Sequence, residues 1–135
     1  MDTNVLLGAL WSQRGAAHQV LEALRRGRWR IVLSNHLLLE YEEVCKRHAA
    51  EMGMTLEEID DVLDAICLVA EERALRPGWV PQLSDPDDEP MLQLAVESAV
   101  PDIVTRNIRH LRPALAFGIH VLSPAEFLNQ INQTP

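Results

Sequence analysis

This chain is poor in the residues that build several familiar kinds of site. Cysteine occurs twice, as Cys45 and Cys67, each within an amphipathic helical pattern and neither in a CxxC pair. That spacing excludes a zinc ribbon or a disulfide framework and predicts reduced core thiols. None of the six glycines falls in GxGxxG or GxxxxGK, so no glycine-rich loop is available to cradle nucleotide phosphates. The five histidines, His18, His36, His48, His110 and His120, show neither HxH nor HExxH spacing, which argues against zinc. Long apolar runs are missing too. The stretch from Val5 to Trp11 is too short to span a bilayer and follows Asp2 rather than a basic region. Neither a membrane anchor nor a signal peptide is predicted, and the chain is expected in the cytoplasm.

What is present suits one domain, residues 1–135, with 47 % hydrophobic and 24 % charged residues. The net charge of −8, from 12 basic and 20 acidic residues, opposes bulk attraction to nucleic acid. The bases are clustered, however. Arg25, Arg26, Arg28 and Arg30 surround one turn, and Arg106, Arg109 and Arg112 follow a strand end. Glu57, Glu58, Asp60, Asp61 and Asp64 read as the solvated face of a helix.

The chain is organised around Ser84 to Leu111. Pro90 lacks a backbone donor and so belongs in the first turn of a helix, which places the start near Asp87 and Asp88 in that turn. Leu92, Ala95, Val96 and Ala99 share the buried face, and Ile103, Val104 and Thr105 read as a buried strand closed by Asn107. Asp85, Asp87, Asp88 and Glu89 admit two readings. They are either a site or a capped helix start favoured by the helix dipole.

Elsewhere, Ala17, Val20, Leu21 and Leu24 form a helix stopped at Gly27, and Trp29–Leu33 is the next strand. Ser34 or Asn35 caps the following helix, whose inner side carries Leu37, Tyr41, Val44, Cys45 and His48 and whose second turn carries Glu40. Thr55 to Glu58 is a capping box opening a helix to about Glu72. A short edge strand is expected near Ala74–Leu75, a last strand at Ile119–Leu122, and a capped terminal helix from Ser123 with Phe127, Leu128 and Ile131 docked. The first strand is reduced to Met1 ahead of Asp2, which predicts a lead-in upstream.

This alternation predicts an α/β parallel sheet with helical layers. Asp2, Asp88, Asn107 and Glu40 can converge beside the carboxyl ends of its strands, where ligands bind in open parallel sheets. Carboxylates within about 4 Å of one another repel by about 4 kcal/mol per pair at an effective dielectric of about 20. Such a cluster calls for protonation or a cation, and oxygen donors favour Mg²⁺ or Mn²⁺.

Asp2-Thr3-Asn4 before an apolar run, Ser34 with Glu40, Asp85-Pro86-Asp87-Asp88 before Ala95, Asp102 to Asn107, and Ser123 to Leu128 occur in an order and spacing that resemble a PIN domain over the whole chain. The chain is most similar to VapC-type toxins of toxin–antitoxin pairs. The resemblance implies a PIN-like parallel sheet of about five strands, the first truncated, with helices on both faces. It also implies an Mg²⁺- or Mn²⁺-dependent endoribonuclease acting on RNA, a cognate antitoxin that blocks the site, and room for a homodimer. Asp2, Glu40 and Asp88 match the acidic metal ligands, and Thr3, Asn4, Ser34, Asp85 and Thr105 the polar support. Asn107 stands where many relatives carry a fourth acid, which lowers the charge of the catalytic set. Arg106, Arg109 and His110 are either phosphate contacts or a solvated loop.

The implied mechanism is polarisation of a phosphodiester and activation of a water by the metal. One alternative is a catalytically degenerate PIN-fold module that binds RNA or protein. The other is an aspartyl phosphoryl-transfer enzyme, which the lack of a second Asp two residues after Asp2 and the single lysine, Lys46, disfavour.

Overall fold

The computed structural model describes residues 1–133. Helices α1 (Thr3–Trp11), α2 (Ala16–Arg25), α3 (Asn35–Arg47), α4 (Ala49–Met52), α5 (Leu56–Val69), α6 (Glu89–Ser98) and α7 (Pro124–Gln133) alternate with strands β1 (Val32–Leu33), β2 (Glu71–Glu72), β3 (Asp102–Val104) and β4 (His120–Leu122). A 3₁₀ turn, Pro86–Asp88, leads into α6, and a 3₁₀ run, Ile108–Phe117, joins β3 to β4.

The helices form where local chemistry satisfies their ends. Ser34 Oγ accepts from Leu37 N at 3.1 Å to open α3. Thr55 and Glu58 exchange side-chain and backbone bonds of 3.0 Å each at the start of α5, and Ser123 and Glu126 exchange bonds of 3.0 and 3.1 Å at the start of α7. Caps of this kind are worth about 1 kcal/mol each. Helix α2 buries Ala17, Val20, Leu21 and Leu24 and is closed by Gly27, which takes the left-handed φ of 73° that glycine tolerates best.

The expected five-stranded sheet with helices on both faces does not form. β1 pairs with β2 and β3 with β4, both parallel, as two separate two-stranded sheets. A strand joining them would have to come from the residues around Asp2. Asp2 is instead the N-cap of α1, and its N–H donates to the Val104 carbonyl at 2.8 Å beside β3. Between β1 and β3 lies a cavity of about 300 Å³. The edge strand expected at Ala74–Leu75 forms earlier, at Glu71–Glu72, because the chain pairs as soon as it leaves α5. Glu71 N and Arg73 N donate to the carbonyls of Ile31 and Leu33 at 2.9 Å each. Two exposed glutamates are poor strand formers, so the backbone ladder and not side-chain preference places β2.

The buried residues fall into two clusters. The larger gathers Val5, Leu6, Val20, Tyr41 and Ile59 from α1, α2, α3 and α5, with Phe127 and Ile131 of α7. The smaller joins Leu92, Ile103, Leu111, Ala114 and Ile119, and Met91 packs against both. Trp29 connects strand and helices, since its Nε1 donates to the Val20 carbonyl at 2.8 Å and its ring meets Phe127 edge-on at 5.1 Å.

Tyr41 is fully buried, and its hydroxyl donates to the Met1 carbonyl. Burial holds the phenol well above its ordinary pKa, so it stays a donor throughout the usable pH range. Replacing Tyr41 by Phe leaves that carbonyl buried without a partner and should cost about 1 to 3 kcal/mol in chemical denaturation. An unchanged midpoint would mean that the amino-terminal anchor does not rest on this bond.

Candidate functional site

Asp2 is the centre of the region that the sequence singles out. Its carbonyl accepts from Val5 N at 3.0 Å and begins α1, while its N–H is held by β3. The carboxylate is buried, and Oδ2 accepts from Thr105 Oγ1 at 2.6 Å. Thr105 is fully buried just past β3, and its N–H donates to Leu122 O at 2.9 Å, which fixes it against β4. The same hydroxyl oxygen accepts from Asn107 N at 2.9 Å. The first residues, the end of β3 and the start of the 3₁₀ run are therefore tied through one hydroxyl.

Two further acids feel the charge of Asp2. Glu40 is half-buried on α3; burial, then the charges of Asp2 and Asp87, push its pKa up, against a hydrogen bond from Thr3 and the proximity of His36. Thr3 Oγ1 is itself buried without a partner at good hydrogen-bonding geometry, so the Glu40 carboxylate is the polar group that it faces. Asp88 closes the 3₁₀ turn before α6. Its pKa is raised by burial, then by Asp2 and Asp85, while His110 acts in the opposite direction.

Proximity in charge is not coordination. Among the described residues, no group of three or more His, Cys, Asp and Glu side chains is placed to hold a metal ion. Mg²⁺ demands oxygen donors at about 2.0–2.1 Å in near-octahedral array. Asp2, Glu40 and Asp88 do not assemble that donor set, and the expectation of an Mg²⁺- or Mn²⁺-dependent ribonuclease built on them is overturned. The physical reason is that three separate elements carry the acids, the cap of α1, α3 and the 3₁₀ turn, and their like charges repel. Asn107 starts the 3₁₀ run without a side-chain capping bond and adds no charge.

The other expected residues take varied places. Ser34 spends its hydroxyl on the α3 cap, Asn4 is exposed in the first turn of α1, and Asp85 Oδ1 accepts from Asp87 N at 2.9 Å to shape the 3₁₀ turn. Arg109 and His110 are exposed on the 3₁₀ run. Arg106 is exposed too, but its guanidinium lies over Gly8. A Cβ on Gly8 would stand 2.5 Å from Arg106 Nη2, so the glycine makes the seat for that cation on α1.

Glu89 is the residue that sequence reasoning misjudged. Read as one more acid at a helix start, it is buried, and it accepts from Trp79 Nε1 at 2.8 Å, Gln82 N at 2.6 Å and Leu83 N. Burial pushes its pKa up, but these three donors outweigh it and hold the carboxyl below its ordinary value. One carboxylate thus folds the loop from Trp79 to Leu83 onto α6. The signal in the sequence was an acid placed directly before Pro90, a position where its side chain can reach back along the preceding loop.

A carboxyl whose pKa is raised on folding stabilises the fold below its unfolded pKa and loses that contribution as pH rises through the folded value. Asp88→Asn should therefore melt above the wild type at pH 7, with the gap closing by about pH 4, near the ordinary carboxylate pKa. A gap that widens on acidification would contradict the raised value.

With the geometry in view, comparison with known proteins gives a consistent frame. A family model described as PIN domain matches residues 1–109. No curated protein and no solved structure matches the chain. The match covers most of the 135 residues, including Asp2, Glu40, Asp88, Thr105 and Asn107. The chain belongs to the PIN domain family.

Proposed function

We propose that this chain is a catalytically degenerate PIN-fold module that acts by binding a protein partner. The observation that supports this reading is that, among the described residues, no three His, Cys, Asp or Glu side chains gather to hold a cation. With its acids carried on separate elements, the region does not present the donor set that would seat the Lewis acid of phosphodiester hydrolysis. What it keeps is a scaffold and an acidic face. A partner protein complementary to that face would meet Glu40, Asp85, Asp87 and Asp88, and the resemblance to VapC-type toxins makes a small antitoxin-like protein the natural candidate. The cytoplasm fits a chain with two unpaired thiols and, among the described residues, no helix long and apolar enough to cross a membrane.

A second reading, RNA binding without cleavage, draws on Arg106, Arg109, His110 and Arg112, all exposed on or beside the 3₁₀ run. The net charge of −8 works against it.

The test combines two assays on the full chain. Incubated with a mixed single-stranded RNA pool and Mn²⁺, it should release no products beyond those formed with EDTA. Co-expressed with the protein encoded beside it, it should elute as one complex. Metal-dependent cleavage abolished by Asp88→Asn would refute the binding-module reading, and salt-sensitive RNA retention with no protein complex would favour the second.

A further inference from the structure

Two exposed stripes, on helices of different type, carry complementary chemistry. In the 3₁₀ run, Leu111 and Ala114 are buried at a spacing of three, which turns Arg109, Arg112 and Leu115 outward along one line. Among the described residues neither arginine enters an ion pair. The line ends in apolar surface. Leu115 is 60 % exposed and Phe117 42 %, and the Phe117 ring meets that of Trp79 at 6.1 Å. Trp79 is held in place by Glu89, and the exposed Val80 follows it.

Helix α5 bears the matching stripe. Ile59, Leu63 and Ile66 face the core, while Glu57, Asp61, Asp64 and Leu68 share the outer side at helical spacing. Asp60 is taken by Lys46 at 2.8 Å, but Asp61 and Asp64 enter no ion pair among the described residues. Leu68 is 86 % exposed. A single exposed leucine or a row of solvated acids is ordinary on its own. Together they repeat the order and spacing of the 3₁₀ stripe. From Arg109 to Arg112 to Leu115 the 3₁₀ helix advances about 6 Å per step, and from Asp61 to Asp64 to Leu68 the α-helix advances about 4.5 Å and then about 6 Å.

We propose that these stripes form an interface between copies of this chain, in which α5 of one copy lies parallel to the 3₁₀ run of the next. Asp61 then meets Arg109, Asp64 meets Arg112, and Leu68 packs on Leu115 and Phe117. Exposed ion pairs add little each, so the apolar end anchors the contact and the charges fix its register. Because the two surfaces differ, copies join head to tail, closing into a ring or extending according to the rotation between them. The contact uses none of Asp2, Glu40 and Asp88, and the 3₁₀ run beyond Arg109 lies outside the stretch that the PIN family model matches. It is therefore separate from the acidic face assigned to a partner protein above.

Analytical ultracentrifugation of the full chain over a concentration series tests this with two charge-reversed variants. One carries Asp61→Arg and Asp64→Arg, the other Arg109→Asp and Arg112→Asp, all at exposed positions that the fold does not depend on. The mean mass of the wild type should rise with concentration. Each variant alone should stay monomeric, and their mixture should associate, since every unlike pair of faces is complementary again. Leu68→Ser should weaken self-association of the wild type at least tenfold. Bulk charge gives the opposite result for the first variant, because its substitutions bring the net charge of −8 nearer zero and ease repulsion between copies. A monomeric wild type at every concentration, self-association kept by either variant, or a mixture that stays monomeric overturns the proposal. So does a monomeric wild type that retains single-stranded RNA and loses it on Arg109→Asp with Arg112→Asp, which assigns the arginines to nucleic acid.

Discussion

The hydrogen bond from the Thr105 hydroxyl to the Asp2 carboxylate is the constraint on which the rest of this structure turns. It joins the first helix to the end of β3 across the core, and both groups are buried, so little water competes for either. Around it, the Asp2 carbonyl starts α1, the Asp2 N–H extends the edge of β3, and the Thr105 oxygen receives the Asn107 amide. A hydrogen bond to a charged acceptor contributes about 1.5 to 3 kcal/mol.

That tie also shapes the electrostatics. Glu40 and Asp88 sit where the Asp2 charge reaches them, and both have their pKa values raised, by burial first and by neighbouring acids next. A metal would relieve such repulsion if the three acids converged, but they are carried by α1's cap, α3 and the 3₁₀ turn and do not. The region is instead an acidic face whose ionisation opposes folding. Glu89, one residue after Asp88, shows the contrast. Three donors converge on it, and its charge is favoured by the fold rather than resisted.

What could be read from the sequence was what is local. The caps at Ser34, Thr55 and Ser123 each join residues three apart, and the amphipathic faces of α2, α3 and α5 follow from periodicity. Strand pairing was not local, and it differed. Glu71 and Glu72 have no strand character of their own and are recruited by carbonyls of β1, while β1 and β3 stay in separate sheets. The candidate acids were identifiable by type and order, but whether they approach to ligand distance depends on how three distant elements pack. Arg106 illustrates the same limit: its seat on α1 exists only because Gly8, far away in sequence, has no side chain.

The central claim, that the acids of this PIN domain do not form a cation site, is tested most directly by titrating Mn²⁺ into the isotopically labelled full chain and following paramagnetic broadening of its amide signals. The account predicts weak, non-saturating broadening spread over the exposed acids, Glu57, Asp61 and Asp64 of α5 among them. Broadening that saturates at Asp2, Glu40 and Asp88 together, and disappears in Asp88→Asn, would contradict it.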